Sequence, residues 1–514
     1  MPTSCGRNGE CHECVVEVRR GMSSLTPATG AESFLRGGYR LACQATVLDP
    51  EADVEFALLR RQPKILTSSL GRHADPEPET VRRGDRVYRG DRPIDDYRGR
   101  ICGLAVDVGT TTVVFNLVDL ETGRVLYTGS FENPQRFGGS DVMHRISYDG
   151  GDDRGELRKA IISSLNFEIR DMARRVKVRR RLIYEAVVVG NSTMRDLFFG
   201  MDVQTIGEKP YKSVTELDVD CGRRRSTVLC AAARDLGLQL FPGARVYGGP
   251  LVGCHVGADV AAGMLALGMD REEDVVMLVD VGTNTEVVVG NRHRLMAASC
   301  PAGPAFEGGH VTYGMPGYDG AVEAVWIDGD RPHYRTIGGG EPRGICGSGL
   351  IDLLAELRRT GLMTELGVYP GGATHFSFAP EMGMSLSRAD VSALAQAKAA
   401  NYCGQLIVLR RYGMPLQRIR TLYLAGGFAN YVNARNAAAI GFIADFPPEK
   451  IVKAGNTALE GATMMLVSGG MRRRAEELAS RVEHVELEVT EDFFDLFVEG
   501  CMFKPMPAAL DAAR

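Results

Sequence analysis

The chain has 514 residues, a net charge of −5 and an apolar fraction of 44%, which are typical of a globular protein with about three domains. The negative charge gives no basic footprint for nucleic acid, and no run in the sequence approaches ~18 apolar residues, so we expect neither nucleic-acid binding nor a membrane-spanning helix. The N-terminus lacks the basic and apolar regions of a signal peptide, which predicts a cytoplasmic protein.

Four of the twelve cysteines are clustered near the N-terminus. Cys5, Cys11 and Cys14 have the spacing C-x5-C-x2-C in a glycine-rich loop, and Cys43 follows them. Cytoplasmic cysteines are expected to be thiols or metal ligands rather than disulfides. Closely spaced thiolates and backbone N–H groups are what an iron–sulfur cluster needs, so we predict that these four residues hold a [2Fe–2S] cluster. A structural zinc site with four cysteine ligands is the alternative, although such sites usually pair two C-x2-C knuckles.

Other cysteines and histidines have simpler interpretations. His12 and His73 could add ligands, but four cysteines suffice for the cluster. Cys254 and His255 are adjacent, and we interpret them as a buried pair in a loop rather than as a metal site. Cys346 has no histidine close to it in the sequence, so a buried small residue is a better interpretation than a nucleophile.

Residues 1–62 are predicted to form a ferredoxin-like domain of the β-grasp fold, because a β-rich segment follows both the cysteine loop and Cys43. That fold normally has a β-hairpin before its cluster loop, and only four residues precede Cys5. We therefore expect the domain to be truncated at its N-terminus.

Residues 63–100 are predicted to be a linker, because charged residues, glycine and proline dominate and hydrophobic periodicity is weak. The two Arg-Gly-Asp triplets at 83–85 and 89–91 are interpreted as solvated turns. A linker of this kind would let the N-terminal domain swing relative to the rest of the chain.

A β-hairpin is predicted over residues 103–118, and its tip carries Asp107, Gly109 and the threonines Thr110, Thr111 and Thr112. The glycine lets the backbone bend closely around a ligand, and the threonines supply N–H and O–H donors. Such a loop suits a phosphate, with the carboxylate placed to hold a Mg²⁺ ion or its waters. A strained hairpin rich in turn-forming residues is the alternative.

Three segments that follow the hairpin have recognisable patterns. Residues 133–146 are predicted to be a loop that opens a helix, with Ser140 as its N-cap. Residues 155–176 have helical spacing and many charges, which predicts an exposed helix. Residues 186–200 predict a strand, a loop and a helix, and Asn191 lies where ligands bind in open α/β sheets, although asparagine also caps helices.

The Asp-Val-Gly-Thr pattern recurs at 280–283, again between two apolar runs. Its loop contains Gly282, Thr283 and Asn284. Two such hairpin lobes, facing each other, could clamp a nucleotide. Internal repetition of this kind indicates two related lobes.

Two further glycine-rich turns are candidate nucleotide contacts. Gly347 and Ser348 open a predicted helix, whose N-terminus would suit an anion. Gly426 and Gly427 follow a predicted strand, where they permit close approach of a flat ring or a ribose.

The two hairpins and the Gly426-Gly427 turn, in this order along the chain, resemble the motifs of the acetate/sugar kinase–heat-shock–actin (ASKHA) superfamily. Residues 104–112 match its first phosphate motif, 278–286 its second and 422–430 its adenosine motif. The resemblance implies an α/β fold: a two-lobed, actin-like (RNase H-like) ATPase body with lobes at 101–268 and 269–510. It also implies that Asp107 and Asp280 organise the metal and the attacking water. Glu286 is a further candidate for positioning that water, with a solvated strand residue as the alternative.

The whole layout resembles the reductive activators of corrinoid proteins, a family of ATP-dependent [2Fe–2S] proteins. Besides the cysteine loop, the matching segments are Leu104–Thr112, Asn133–Ile146, Gly190–Met194, Leu278–Glu286, Gly344–Asp352, Leu424–Asn433 and Gly455–Ala462. The family often has glycine where this chain has Thr285, which is expected to crowd the γ-phosphate, and histidine where it has Arg195.

The second resemblance implies a function. ATP with Mg²⁺ would drive reduction of an inactive Co(II) corrinoid to Co(I), with one electron from the cluster. The implied partners are a corrinoid protein or corrinoid-dependent methyltransferase and an electron-donor protein or flavoprotein, and the chain could form a homodimer. Three alternatives remain open: an ATPase-coupled reductant of another low-potential metallocofactor, a small-molecule kinase of the same superfamily, and an electron carrier with a decayed ATPase body.

Overall fold

The computed structural model describes residues 5–59, 74–427, 429–487 and 489–507, which belong to two compact units. The first unit comprises 5–59, 74–263 and 458–479, and the second comprises the described residues of 264–457 and 480–507. His73 and the part of the predicted linker from 63 to 73 lie outside the described residues. Of the helices described, none combines the length and apolar character required to cross a membrane.

The N-terminal part of the first unit contains a three-stranded antiparallel sheet in the order β2–β1–β3. Its strands are β1 (Val15–Arg20), β2 (Tyr39–Leu41) and β3 (Glu55–Leu58). The pairing of Val15 with Leu41 places Cys14 and Cys43 at the same end of the sheet. Two strand ends therefore bring together cysteines that are 29 positions apart in the sequence.

A second three-stranded antiparallel sheet lies within the predicted linker and corrects that prediction. It consists of β4 (Thr80–Arg83), β5 (Arg86–Arg89) and β6 (Arg92–Asp96). The two Arg-Gly-Asp triplets are confirmed as the turns between these strands. Contacts distant in sequence anchor the sheet: Arg89 donates to the carbonyl of Tyr184 at 3.1 Å, and Glu185 accepts from the Thr80 N–H at 2.5 Å.

The main sheet of the first unit has six strands in the order β11–β12–β10–β7–β8–β9. They are β7 (Cys102–Val108), β8 (Thr112–Asp119), β9 (Val125–Glu132), β10 (Ile183–Val189), β11 (Leu229–Ala232) and β12 (Arg245–Gly248). The helices up to residue 267 are α1 (Val142–Asp149), α2 (Glu156–Arg175), α3 (Ser192–Phe199), α4 (Gln204–Gly207), α5 (Val214–Asp220), α6 (Ala233–Leu236) and α7 (Ala258–Leu267).

The remaining strands are β13 (Val276–Val281), β14 (Thr285–Gly290), β15 (Leu295–Cys300), β16 (Ala321–Asp328), β17 (Arg331–Thr336), β18 (Gly344–Ile345), β19 (His375–Ala379), β20 (Met384–Ser387), β21 (Thr421–Ala425), β22 (Ile451–Gly455) and β23 (Val482–His484). The remaining helices are α8 (Gly347–Arg359), α9 (Arg388–Tyr412), α10 (Ala434–Ala439), α11 (Thr457–Val467), α12 (Gly469–Arg481) and α13 (Phe493–Gly500).

The main sheet of the second unit has the order β22–β21–β13–β14–β15–β23. Counted from the strand that ends in Asp-Val-Gly-Thr, both main sheets share the arrangement third, second, first, fourth. In each, the first three strands are antiparallel and the fourth runs parallel to the first. The repeated motif is therefore part of a repeated sheet.

The chain returns to the first unit near its C-terminal end. Residues 458–479, from α11 and α12, pack there. Leu466 lies so close to Gly103 of β7 that a Cβ at this glycine would be 2.8 Å from the leucine side chain. Arg472 is buried and donates to Glu185 at 2.5 Å. Because Glu185 also accepts from β4, one buried carboxylate joins three distant parts of the chain.

Two local predictions are wrong. The helix predicted to be exposed, α2, buries half of its 20 residues, because its charges are concentrated near its ends and an apolar stripe runs between them. The N-cap of α1 is Asp141, whose side chain accepts from the His144 N–H, and not Ser140. The predicted helix that Gly347 and Ser348 open is confirmed as α8.

Candidate functional site

The first Asp-Val-Gly-Thr motif forms the predicted hairpin between β7 and β8. Val108 pairs with Val113, so the loop consists of residues 109–112, and Asp107 lies opposite Val114 on the neighbouring strand. Asp107 is half-buried, whereas Thr110 is 6% exposed. The hairpin thus presents one carboxylate at the end of a buried strand, beside the loop.

Buried side chains hold the carbonyl groups of this loop. Asn133 donates from Nδ2 to the carbonyl of Gly109 at 2.8 Å, and its own N–H donates to the carbonyl of Thr111 at 2.8 Å. Arg145, which is fully buried, donates from Nη2 to the carbonyl of Thr110 at 2.7 Å. Three successive carbonyl oxygens are therefore engaged by the protein itself. Neither Asn133 nor Arg145 stands out in the sequence as a candidate site residue.

The neighbouring strand β10 supplies a further support. Asn191, the N-cap of α3, accepts from the Met194 N–H and donates from Nδ2 to Thr110 Oγ1 at 3.0 Å. Gly190 has φ of 156°, and a Cβ there would lie 2.7 Å from the carbonyl oxygen of Val108. Asn191 therefore caps a helix, as expected, and also steadies the candidate phosphate loop. That it contacts a ligand stays a prediction.

The second motif forms a shorter hairpin between β13 and β14. Val281 pairs with Thr285, so the loop is residues 282–284, and Asp280 lies directly opposite Glu286. Glu286 is 7% exposed and accepts a hydrogen bond from Ser299 Oγ at 3.2 Å. This hairpin consequently places two carboxylates side by side on one face of its sheet.

Thr285 does not share the face of these carboxylates. Residues alternate across a strand, so Thr285 lies on the face of Val287 and Val289, which belong to the hydrophobic core of the second unit. Thr285 is fully buried, and among the described residues its hydroxyl has no hydrogen-bond partner. Its placement in the core gives no support to the expectation that it crowds a phosphate.

The second loop is also held by its neighbours. The Thr283 hydroxyl donates to Glu307, and the Thr283 carbonyl accepts from the Gly303 N–H at 2.8 Å. Both partners belong to the glycine-rich segment that follows β15, and the sequence analysis did not single out Glu307.

Gly426 lies beside this loop because β21 runs parallel to β13, with Ala425 paired to Asp280. Its φ is 106°, and a Cβ at this position would lie 2.1 Å from the carbonyl oxygen of Val281. Gly427 is exposed and has open space where a Cβ would be. The structure therefore brings Gly282, Thr283, Asn284, Gly426 and Gly427 to one edge of one sheet, as expected for a repeated α/β arrangement.

The start of α8 is more enclosed than the sequence suggests. Ser348 is 1% exposed and its hydroxyl donates to the carbonyl of Glu323 at 2.8 Å. Gly347 is buried, and Cys346 is the N-cap, with its Sγ 3.5 Å from Ser348 Oγ. Burial raises the pKa of the Cys346 thiol, which fits the buried, unreactive residue predicted. The roles of Gly347 and Ser348 in nucleotide binding stay predictions.

The four N-terminal cysteines are arranged as two pairs. The thiol of Cys11 is close enough to Cys5 to change its pKa, and the thiol of Cys43 does the same to Cys14. Among the described residues, no three of these sulfurs lie within 4.8 Å of one another. A single tetrahedral zinc ion, with Zn–S bonds of ~2.3 Å, needs all four sulfurs within ~3.8 Å of one another. The donor set therefore fits two metal ions better than one.

The cysteine loop also directs backbone N–H groups at its sulfurs. Burial disfavours the Cys5 thiolate, but hydrogen bonds from the Cys11 thiol and from the N–H groups of Cys11, Gly9 and Arg7 outweigh it and lower the pKa of Cys5 to about 6. Burial dominates at Cys14 and raises its pKa to about 12. Convergent N–H donors of this kind stabilise the negative charge of an iron–sulfur cluster.

The cysteine loop packs against the middle of the first unit through His12. The His12 ring stacks on Phe34 with ring centroids 3.9 Å apart, and its Nε2 lies 3.2 Å from Glu156 at the start of α2. Burial, with a smaller contribution from the charge of Lys159, lowers the pKa of His12 to about 3, and burial raises that of Glu156. His12 is thus a neutral packing residue here, rather than a cluster ligand.

Further contacts extend this interface. The Tyr148 hydroxyl donates to the carbonyl of Phe34 at 2.5 Å, and Arg36 forms an ion pair with Asp153 at 3.1 Å. In this structure the N-terminal domain therefore packs on the rest of the first unit, with aromatic residues on both sides of the contact. The swing of this domain stays a prediction.

Comparison with protein families matches two parts of the chain. Residues 102–272 match the RACo middle region, and residues 274–510 match the C-terminal domain of RACo, the ASKHA domain. The actin-like α/β fold expected for the body is confirmed by the second match.

Characterised relatives cover most of the chain. It is 30% identical to the corrinoid activation enzyme RamQ of Eubacterium limosum over 437 residues. This alignment covers 80% of this chain and 72% of RamQ. It is 24% identical over 424 residues to the [Co(II) methylated amine-specific corrinoid protein] reductase of Methanosarcina barkeri, covering 77% of this chain and 76% of the relative.

A solved structure is similar over nearly the full length. The reductive activator for corrinoid,iron–sulfur protein superposes with a TM-score of 0.75 and 29% sequence identity. The match covers 98% of this chain and 93% of the other.

Proposed function

Because the chain belongs to the family of reductive activators of corrinoid proteins, we propose that it reduces the Co(II) corrinoid of a partner protein to Co(I), with ATP as the energy source. The electron comes from a [2Fe–2S] cluster bound by Cys5, Cys11, Cys14 and Cys43. The observation that best supports this carrier is the arrangement of the four thiols as two pairs.

The cluster, when bound, supplies one electron at a low potential, roughly −400 mV for plant-type ferredoxins. The N–H groups of Arg7, Gly9 and Cys11 stabilise thiolate charge at Cys5. Cys14, in the opposite pair, is buried from water, whereas Cys43 is partly exposed. The chain thereby controls the electrostatic surroundings of the electron, which is one of the few means a protein has to set a reduction potential.

ATP is required because the reduction runs uphill. For a one-electron step each ~59 mV of unfavourable potential difference is a tenfold penalty in the equilibrium constant. Hydrolysis makes the transfer effectively one-way when it is coupled to a change in the protein. The family description of residues 274–510 as an ASKHA domain supports nucleotide binding in the second unit.

Each Asp-Val-Gly-Thr loop has its own role in this proposal. The N–H groups of residues 109–112 and 283–284, with the hydroxyls of Thr111 and Thr112, bind phosphate oxygens, since buried groups of the protein already engage several of the loop carbonyls. Asp107 and Asp280 hold Mg²⁺ or its waters. Glu286, beside Asp280, orients the attacking water and accepts its proton. Gly426 and Gly427 leave room for the nucleoside.

The proposed partners are a corrinoid protein or corrinoid-dependent methyltransferase, which provides the Co(II) centre, and a redox protein or flavoprotein, which reloads the chain with electrons. The names of both characterised relatives support the first of these.

The test is anaerobic reconstitution with iron and sulfide, followed by addition of a Co(II) corrinoid protein, a reductant and Mg-ATP. We expect a red-brown protein that forms Co(I) only with ATP, as followed by corrinoid absorption. Cys14→Ser should lose the cluster spectrum and Co(I) formation but still bind ATP, whereas Cys221→Ser, at an exposed cysteine outside the loop, should behave as wild type.

Three results would contradict the proposal. Co(I) formation by Cys14→Ser at the wild-type rate would remove the cluster from the electron path. Equal rates with and without ATP in the wild type would remove the energy coupling. Reduction of a different metallocofactor, with no reduction of any corrinoid protein, would replace the substrate.

A further inference from the structure

One short stretch of the first unit contacts both the first phosphate loop and the cysteine loop. It comprises residues 133–149, which contain a 3-10 helix (Pro134–Gly138) and α1, and we call it the bridging segment. Each of its two helical parts is associated with one residue that holds the phosphate loop and one that holds the N-terminal domain. The four residues are Asn133, Phe137, Arg145 and Tyr148.

At the phosphate loop, the contacts are hydrogen bonds to backbone carbonyls. Asn133 donates to Gly109 at 2.8 Å and Arg145 donates to Thr110 at 2.7 Å. The guanidinium of Arg145 is fully buried and also donates to the carbonyl of Gly139 at 3.0 Å. A movement of the loop that broke these bonds would leave a buried charge with fewer partners, which is strongly unfavourable.

At the N-terminal domain, both contacts converge on Phe34. The Phe137 ring meets the Phe34 ring edge-on with centroids 5.4 Å apart, and the Tyr148 hydroxyl donates to the Phe34 carbonyl at 2.5 Å. Phe34 in turn stacks on His12, which lies in the sequence between Cys11 and Cys14. A shift of the bridging segment therefore reaches the cysteine loop through one aromatic ring.

The two parts of the bridging segment are packed against each other. The rings of Phe137 and Tyr148 meet edge-on with centroids 5.6 Å apart, and both residues are about 5% exposed or less. Close-packed interiors have low compressibility, so a displacement at one end is passed on rather than absorbed. The bridging segment therefore provides continuous contacts from the phosphate loop at residues 109–112 to the cysteine loop.

We propose that the bridging segment couples nucleotide binding at residues 109–112 to the state of the cysteine loop, with Asn133, Phe137, Arg145 and Tyr148 as positioning residues. This inference rests on the proposed function, because it requires that the chain bind both ATP and a cluster. Coupling between two binding equilibria is reciprocal, so the redox state of the cluster changes nucleotide affinity by the same factor by which nucleotide changes the reduction equilibrium.

The experiment measures the affinity of the anaerobic, cluster-loaded protein for a non-hydrolysable ATP analogue with Mg²⁺, by calorimetry, in the oxidised and the dithionite-reduced states. We expect the two dissociation constants to differ by about fivefold or more in the wild type. A titration of the cluster followed by electron paramagnetic resonance, with and without the analogue, should give the same factor.

Tyr148→Phe removes only the hydroxyl that reaches Phe34 and keeps the ring. We expect this variant to bind the analogue and to hold the cluster, but to reduce the ratio of the two dissociation constants to near one. Phe137→Leu is a second variant at the same contact, in case the first does not fold. Tyr97→Phe is the matched control, because it also removes one tyrosine hydrogen bond, to Glu121 at 3.0 Å, and lies outside the bridging segment.

The outcomes separate this inference from the proposed function. If the wild type binds nucleotide and cluster but has equal dissociation constants in the two redox states, the coupling is overturned and the proposed function is not affected. A ratio unchanged in both Tyr148→Phe and Phe137→Leu also overturns it, because the connection would then run elsewhere. A wild type that binds no nucleotide, or no cluster, overturns the proposed function itself.

Discussion

The two hairpins that begin with Asp-Val-Gly-Thr differ by one residue in loop length and in the residue that lies opposite the aspartate. Val113 and Glu286 are each the sixth residue after their aspartate. With four residues in the first loop, Val113 pairs with Val108, whereas with three residues in the second, Glu286 pairs with Asp280. A slip of one residue reverses the face of every following side chain. The residue opposite the aspartate is Val114 in the first hairpin and Glu286 in the second, so the motif carries one carboxylate in the first unit and two in the second.

The surroundings of the two loops differ as well. The first is held by Asn133, Arg145 and Asn191, and the segment containing two of these also contacts the N-terminal domain. The second is held through Thr283 by Glu307 and abuts Gly426. The first loop therefore shares a supporting segment with the N-terminal domain, whereas the second is supported by the glycine-rich segment after β15.

Replacing the aspartates has the largest expected effect and tests what the two loops have in common. Asp107→Asn and Asp280→Asn should each lower the turnover of ATP by about 100-fold or more, because each removes a charge that holds the metal or its waters. The measurement is phosphate release by folded protein, with circular dichroism as the control. Wild-type turnover of ATP in either variant would contradict the prediction that both aspartates hold the metal or its waters.

The carboxylate present only in the second hairpin should matter next. Glu286→Gln should lower ATP turnover by about 100-fold with little change in affinity, since general-base groups contribute on that order. Val114 is the control, because it lies opposite Asp107 as Glu286 lies opposite Asp280. Val114→Ala should affect stability but not turnover per folded molecule. If Glu286→Gln hydrolysed ATP normally, the register difference would have no catalytic meaning.

Arg145 tests the support of the first loop. Arg145→Lys keeps the charge but loses the fork that reaches both Thr110 and Gly139, so we expect about a tenfold weaker nucleotide affinity. Binding of the analogue by calorimetry provides the measurement. Asn191→Ser, which keeps the ability to cap α3, should have a smaller effect on the same loop. Equal affinity in Arg145→Lys and wild type would show that the loop keeps its shape without this support.

The smallest effects come from the core faces of the two hairpins. Thr285 and Val113 occupy equivalent positions, opposite the residue that follows the aspartate. Thr285→Val removes a buried hydroxyl that has no partner among the described residues, so the free energy of unfolding should rise by about 1 kcal/mol. Val113→Thr should lower it by a similar amount. Denaturant unfolding measures both, and ATP turnover by Thr285→Val should stay unchanged.

Much of this arrangement is predictable from the sequence, and the exceptions have a physical explanation. Local patterns sufficed for the two hairpins, the strand before Gly426 and the cysteine loop, because apolar runs, turn residues and close cysteine spacing are all short-range signals. The register of each hairpin and the burial of Arg145 depend on partners elsewhere in the fold. Such contacts leave no pattern in a single sequence.

The sheet formed by β4, β5 and β6 is the clearest case. Its residues are charged and its strands are short, so composition favours a linker. Its order comes from Tyr184 and Glu185, about 100 positions further along the chain. The prediction that α2 is exposed was wrong for a different reason. The charges near its ends suggested an exposed helix, although an apolar stripe lies between them.

The return of residues 458–479 to the first unit has a consequence for how this protein is made. Arg472 completes the pairing of the buried Glu185, yet it leaves the ribosome almost 300 residues later. Domains often fold as they emerge during synthesis, but this one waits for nearly the whole polypeptide. A shortened gene that stops after residue 272 would therefore yield an incomplete, aggregation-prone product, and useful fragments of the first unit need the late helices supplied on the same chain or added in trans.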